Sequence, residues 1–200
     1  MLLLLALLLA VWTSDSAEPG RLVGTVGPGF TIDLADANGN HVDTVVAGRY
    51  EILVHDLSDM HNFVLGNKAT GERPITTGVE FVGDQTFTVD LVPGLYVYAC
   101  SPHFDVMNGR LTVVPPPTPK LKARVDGRTV WMSATRISAG RYSLTVADRS
   151  ASRNFHLVGP GVDRRTGKSF TGTVTWRLGL APGTYRFGSD PHLRGRLTVG

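Results

Sequence analysis

A single cysteine occurs in the 200 residues. That excludes an internal disulfide and leaves Cys100 as a thiol in want of another explanation. Helical periodicity is also missing from every long stretch, which points the fold class away from helices. The one extended apolar run, Leu2 to Trp12, is shorter than the roughly 20 residues that a bilayer-spanning helix needs. No Lys or Arg precedes it. No Ser–His–Asp pattern or paired-carboxylate signature favours hydrolysis. No basic–aromatic motif of a nucleic-acid module is found, so no nucleic-acid partner is expected.

Glycine (23) and proline (12) are abundant. They separate short β-branched and aromatic segments, the pattern of many strands joined by turns. In the first half these segments are Phe30–Leu34, Tyr50–Val54, Asn62–Leu65, Thr86–Leu91, Leu95–Ala99 and Arg110–Val114. Ala37-Asn38-Gly39-Asn40 and Pro93-Gly94 are turn signals between them. The Leu2–Trp12 run followed by Ser14, Ser16 and Ala17 fits a secretory signal cleaved near Ala17. Residues 1–19 are therefore expected to be a leader, and the protein to be secreted or periplasmic.

The chain repeats itself. Ala47-Gly48-Arg49-Tyr50 returns as Ala139-Gly140-Arg141-Tyr142, and Asn62-Phe63 as Asn154-Phe155. Gly109-Arg110-Leu111-Thr112-Val113 returns as Gly195-Arg196-Leu197-Thr198-Val199. Two homologous domains, 20–114 and 120–200, are expected on either side of a semi-rigid Pro-rich linker at 115–119. Each should be an all-β sandwich. Their charges oppose. Residues 21–114 hold five Lys/Arg against eleven Asp/Glu, net −6, whereas residues 119–200 hold fifteen against four, net +11. The basic domain could contact the acidic one, bind an anionic surface, or simply present a solvated face.

Chemistry concentrates in Cys100-Ser101-Pro102-His103-Phe104-Asp105-Val106-Met107-Asn108-Gly109, between two expected strands. A thiolate, an imidazole and a thioether on one tight loop match the donors of an electron-transfer copper site, which needs a second imidazole from elsewhere. His61, His55 and His41 are the candidates. His61 precedes Asn62-Phe63 and opens an expected strand, so it can reach the same end of the sandwich. Taken singly, Cys100 could be a buried inert thiol, and Met107 or Met60 core filler. His55, beside Asp56, reads as a surface or ion-paired histidine, and His41 lies in a turn.

Cys-Ser-Pro-His followed by Met-x-Gly, with His61-Asn62 some forty residues upstream, resembles the plastocyanin/azurin family of cupredoxins. The resemblance extends to Gly24–Ile32 and to Arg153–Gly161, and so covers both domains. It implies tandem Greek-key β-sandwiches. It also implies one type 1 copper per chain, with His61, Cys100 and His103 equatorial, Met107 weakly axial and Asn62 in support. A redox partner would dock where the His103 edge emerges among Pro102, Phe104 and Val106. The function expected is one-electron transfer without an enzymatic role, or copper binding and buffering, or a non-redox binding module. Multicopper oxidases and nitrite reductases need His-x-His or His-Cys-His segments, which do not occur here. In the second domain Arg153 and Ser189 stand at the positions of His61 and Cys100, and only His192 survives, with His156 nearby. That domain is expected to hold no blue copper.

Overall fold

The computed structural model describes residues 18–200, so residues 1–17 of the expected leader, with its cleavage near Ala17, lie outside the described residues. The chain divides into two compact units between Pro116 and Pro117. Each is an all-β, two-sheet sandwich of nine strands.

The first unit runs β1 (Gly20–Val26), β2 (Ile32–Asp36), β3 (Thr44–Val46), β4 (Gly48–Asp56), β5 (Val64–Asn67), β6 (Ile75–Thr76), β7 (Gly83–Leu91), β8 (Gly94–Ala99) and β9 (Asn108–Val114). One sheet has the order β2-β1-β4-β7 and the other β3-β9-β8-β5-β6. β1 pairs with β4 in parallel, and β3 with β9 likewise. Alternation decides which side chains enter the core. Along β4, Ile52, Val54 and Asp56 point inward between less buried neighbours, as the period of two requires. They meet Leu22, Val26, Leu34, Leu65 and Leu111 in one apolar core.

The second unit follows the same plan: β10 (Lys120–Val125), β11 (Val130–Met132), β12 (Arg136–Ile137), β13 (Gly140–Asp148), β14 (His156–Gly159), β15 (Val162–Arg165), β16 (Gly172–Leu180), β17 (Gly183–Ser189) and β18 (His192–Val199). Its sheets have the orders β11-β10-β13-β16 and β12-β18-β17-β14-β15, element for element those of the first unit. Leu121, Val125, Leu144, Val146, Leu157 and Leu197 form its core.

Two sequence expectations change. Phe30 lies in the loop between β1 and β2 rather than in a strand, and its ring is 63% exposed. His61 does not open a strand; β5 begins three residues later at Val64. The segment before β5 is pinned by a side-chain relay instead. Asp56 is fully buried and accepts from Thr77 Oγ1 at 3.0 Å, while the Phe63 N–H donates to Thr77 Oγ1 at 2.8 Å. Burial pushes the Asp56 carboxyl above its ordinary value, and the Thr77 bond opposes the shift.

Candidate metal centre

The centre is assembled from two loops at one end of the first sandwich. The 61–63 segment enters β5, and the 100–107 loop connects β8 to β9. The second loop is a set of tight turns closed by backbone bonds. Cys100 N–H donates to the Met107 carbonyl at 3.0 Å, and Met107 N–H to the His103 carbonyl at 2.9 Å. The Asn108 side chain donates to the Phe104 carbonyl at 2.8 Å. These bonds fold His103 back over Cys100. Asn62 ties the loops together: its Oδ1 accepts from Ser101 N–H at 2.7 Å, and its Nδ2 donates to Ser101 Oγ and to the Thr77 carbonyl, each at 3.4 Å.

The result is a convergence of three donor atoms. Nδ1 of His61 lies 3.0 Å from Nδ1 of His103, and Cys100 Sγ lies 3.6 Å and 3.7 Å from them respectively. Cys100 and His61 are buried, and His103 is half-buried. A point about 2 Å from all three atoms exists inside that triangle, close to the metal–nitrogen and metal–thiolate lengths of protein sites. Soft sulfur with two imidazoles suits copper. Among the described residues no other group of three His, Cys or acidic side chains converges in this way.

Met107 is fully buried and belongs to the same core cluster as Cys100. His55 and His41 are not brought to the centre. His55 Nδ1 pairs with Asp84 at 2.6 Å, and His41 Nδ1 with Asp33 at 2.5 Å. Met60 is exposed.

One residue of the centre has no counterpart in the expectations. Phe30 packs edge-on against both imidazoles, its ring centroid 5.4 Å from that of His61 and 5.0 Å from that of His103. It reaches them from the loop after β1, where Gly27 and Gly29 adopt positive φ. The Gly27-Pro28-Gly29 run marks a turn in the sequence, but nothing local says that the ring beyond it covers two histidines thirty and seventy residues away.

In the second unit the registers align Ser189 with Cys100 and Asp190 with Ser101, since Val64 pairs with Ala99 and His156 with Gly188. The Asn brace persists: Asn154 Oδ1 accepts from Asp190 N–H at 2.9 Å. The donors do not. Ser189 Oγ is engaged with Asn154 at 3.2 Å, and His192 is an exposed residue of β18. His156 is held between Asp190 at 2.7 Å and Asp163 at 3.0 Å.

No family model and no curated protein matches the chain. Solved structures do. A multicopper oxidase is similar over 90% of this chain and 88% of its own, at 12% identity and a TM-score of 0.31. The copper protein rusticyanin is similar over 46% and 76%, at 20% identity and 0.37. A copper-containing nitrite reductase from Thermus scotoductus is similar over 92% and 61%, at 14% identity and 0.29. The all-β, two-sheet units fit a cupredoxin-like fold, and with the His–Cys–His cluster they support a copper-binding cupredoxin-like protein. Several of the similar structures are multicopper oxidases and one is a nitrite reductase, so the expectation of no enzymatic role does not stand. Physically, a centre that exchanges one electron does so whether the other party is a carrier protein or a reacting molecule, so its geometry gives no ground for excluding catalysis.

Proposed function

We propose that the first unit holds one type 1 copper on His61, Cys100 and His103, with Met107 as the weak axial donor, and passes single electrons. The observation that carries this reading is the convergence of Cys100 Sγ and the two Nδ1 atoms within 3.0–3.7 Å of one another. Bound copper would supply reversible uptake and release of one electron. The remaining work belongs to the chain. Asn62, Thr77 and Asp56 hold the two loops in a fixed relation, so the donors need not rearrange when the charge changes. Phe30 and the core behind Cys100 keep water from the donors.

The side chains of Phe30, Met60, Phe104 and Val106, all more than half exposed, make an apolar patch around the half-buried His103. Such a surface suits brief contact with a redox partner, since it is apolar without being a charged clamp. The second unit takes no blue copper on this reading, and its basic surface faces an anionic partner. On the same reading the apolar run from Leu2 to Trp12 would act as a secretory leader, and the protein would work outside the cytoplasm.

The test is spectroscopic. Cu(II) added to the purified chain should give an intense blue absorption at one equivalent of metal. A colourless copper-loaded protein sinks the proposal. Reduction and reoxidation of that band by a soluble electron donor and acceptor test the electron-transfer half separately.

A further inference from the structure

The first unit is acidic, yet its few cations are not scattered. Lys68, Arg73 and Arg110, three of the five Lys/Arg between residues 21 and 114, line a single cavity of about 680 Å³. None of the three is paired with a carboxylate among the described residues, whereas Arg49 is bound to Asp90 at 3.0 Å. The cavity lies on the outer face of the β3-β9-β8-β5-β6 sheet. Register explains its shape. Gly66, Val97 and Arg110 form one row across β5, β8 and β9, and Val64, Ala99 and Asn108 form the next row on the same face. Small side chains in the middle of both rows leave a shallow apolar floor. A Cβ on Gly66 would meet the Arg73 side chain at 3.7 Å, so glycine there leaves the floor open beneath that arginine. The exposed ring of Phe104 closes one end.

We propose that this cleft binds a small organic anion, a carboxylate carried on an apolar, preferably aromatic, body. Its volume is within the range of small-molecule sites, and its apolar floor with a few convergent charges has their usual composition. Arg73 and Arg110 can grip a carboxylate through paired N–H donors, and Lys68 adds a third positive charge. The floor and the Phe104 ring take the apolar body. A bound molecule would lie against Ala99 and Ser101, the residues on either side of Cys100. The proposal rests on the cleft alone and requires no metal.

The probe is 2-naphthoate, titrated into the full-length chain free of Cu(II) and followed through backbone amide resonances. The expected result is saturable shifts at Gly66, Val97 and Ala99. Neutral 2-methylnaphthalene at the same concentrations should leave them unmoved. The double variant Arg73→Gln/Arg110→Gln, which alters only exposed side chains, should weaken the titration by about tenfold or more, since charge-assisted hydrogen bonds are lost. Three results would overturn the site: no shifts at those amides, shifts confined to the second unit, or undiminished affinity in the double variant. Copper binding, read separately by colour, is unaffected by any of them.

Discussion

The two units share a frame and differ in what the frame carries. Both have the same sheet orders. Both bury an aspartate that accepts from a threonine hydroxyl, Asp56 from Thr77 and Asp148 from Thr166, and in both that hydroxyl accepts the N–H of the phenylalanine after the braced asparagine. Both run an asparagine across to the loop after the eighth strand. Yet one unit gathers a cysteine sulfur and two imidazoles, and the other puts an arginine, a serine and an exposed histidine at those positions. The relay and the brace therefore serve the fold first. They hold two loops together at one end of a sandwich, and a metal centre is one use of that rigidity.

The sharpest way to break the comparison is to give the first unit the residue of the second. Cys100→Ser should abolish the blue absorption completely, because the thiolate is lost while the fold keeps a hydroxyl that the second unit already tolerates as Ser189. The reverse exchange, Arg153→His with Ser189→Cys, should create no blue site. In the first unit the eight residues from Cys100 to Met107 join β8 to β9, whereas β17 and β18 are joined through Asp190 and Pro191 alone, with His192 already in the strand. A blue band in the double exchange would show that donor identity, not loop length, separates the units.

Glycine gives a second, smaller test. Tyr98 lies across Gly109 so closely that an added Cβ would fall 2.1 Å from the ring, and Phe187 covers Gly195 at 2.4 Å. Both rings are buried, so they cannot swing away freely. Gly109→Ala and Gly195→Ala should each cost about 1–3 kcal/mol by overpacking. Only Gly109→Ala should also alter the copper spectrum, because Tyr98 stands two residues from Cys100. Equal spectra for the two variants would detach that ring from the centre. Asn62→Ala and Asn154→Ala ask the same question of the brace. Each removes a buried asparagine and the acceptor of a part-buried backbone N–H, that of Ser101 or Asp190, at about 1–3 kcal/mol by chemical denaturation, and only the first should broaden or shift the blue band.

How much of this was legible beforehand follows from the range of each signal. The strands around Tyr50–Val54 and Leu95–Ala99, the Pro-rich stretch and the repeat are local or periodic, and they read directly from the residues. The Cys100–Met107 loop is local as well, with donors on one short segment. His61 was legible from its place before Asn62-Phe63 and from the resemblance, although the strand it was expected to open starts later; His55 and His41 carry the same chemistry but pair with Asp84 and Asp33. Phe30 and the Asp56–Thr77 relay were not legible at all. Their partners are distant in sequence, and an inward-facing aspartate in a strand looks like an ordinary polar interruption until the threonine that satisfies it is located.

The smallest expected difference between the units is one of pH. Asp190 occupies the place of Ser101, so the second unit has a carboxylate where the first has a hydroxyl. The hydrogen bond from His156, and then that from Asn154 Nδ2 at 2.8 Å, hold its carboxyl below the ordinary carboxylate value. Asp163 faces the other side of the same imidazole, and Arg165 adds a weaker positive field. A depressed carboxyl stabilises the folded state fully above the unfolded value, about 3.9, and that contribution disappears as pH falls through the lower folded value. Asp190→Asn should therefore be less stable than wild type at pH 5, and the gap should close as pH is lowered toward 3. Trp131 and Trp176 both lie in the second unit and no tryptophan lies between residues 20 and 116, so their fluorescence follows unfolding of that unit within the whole chain. A gap that stays constant from pH 5 to pH 3 would mean that Asp190 contributes through its hydrogen bonds as an amide would, with no part played by its charge.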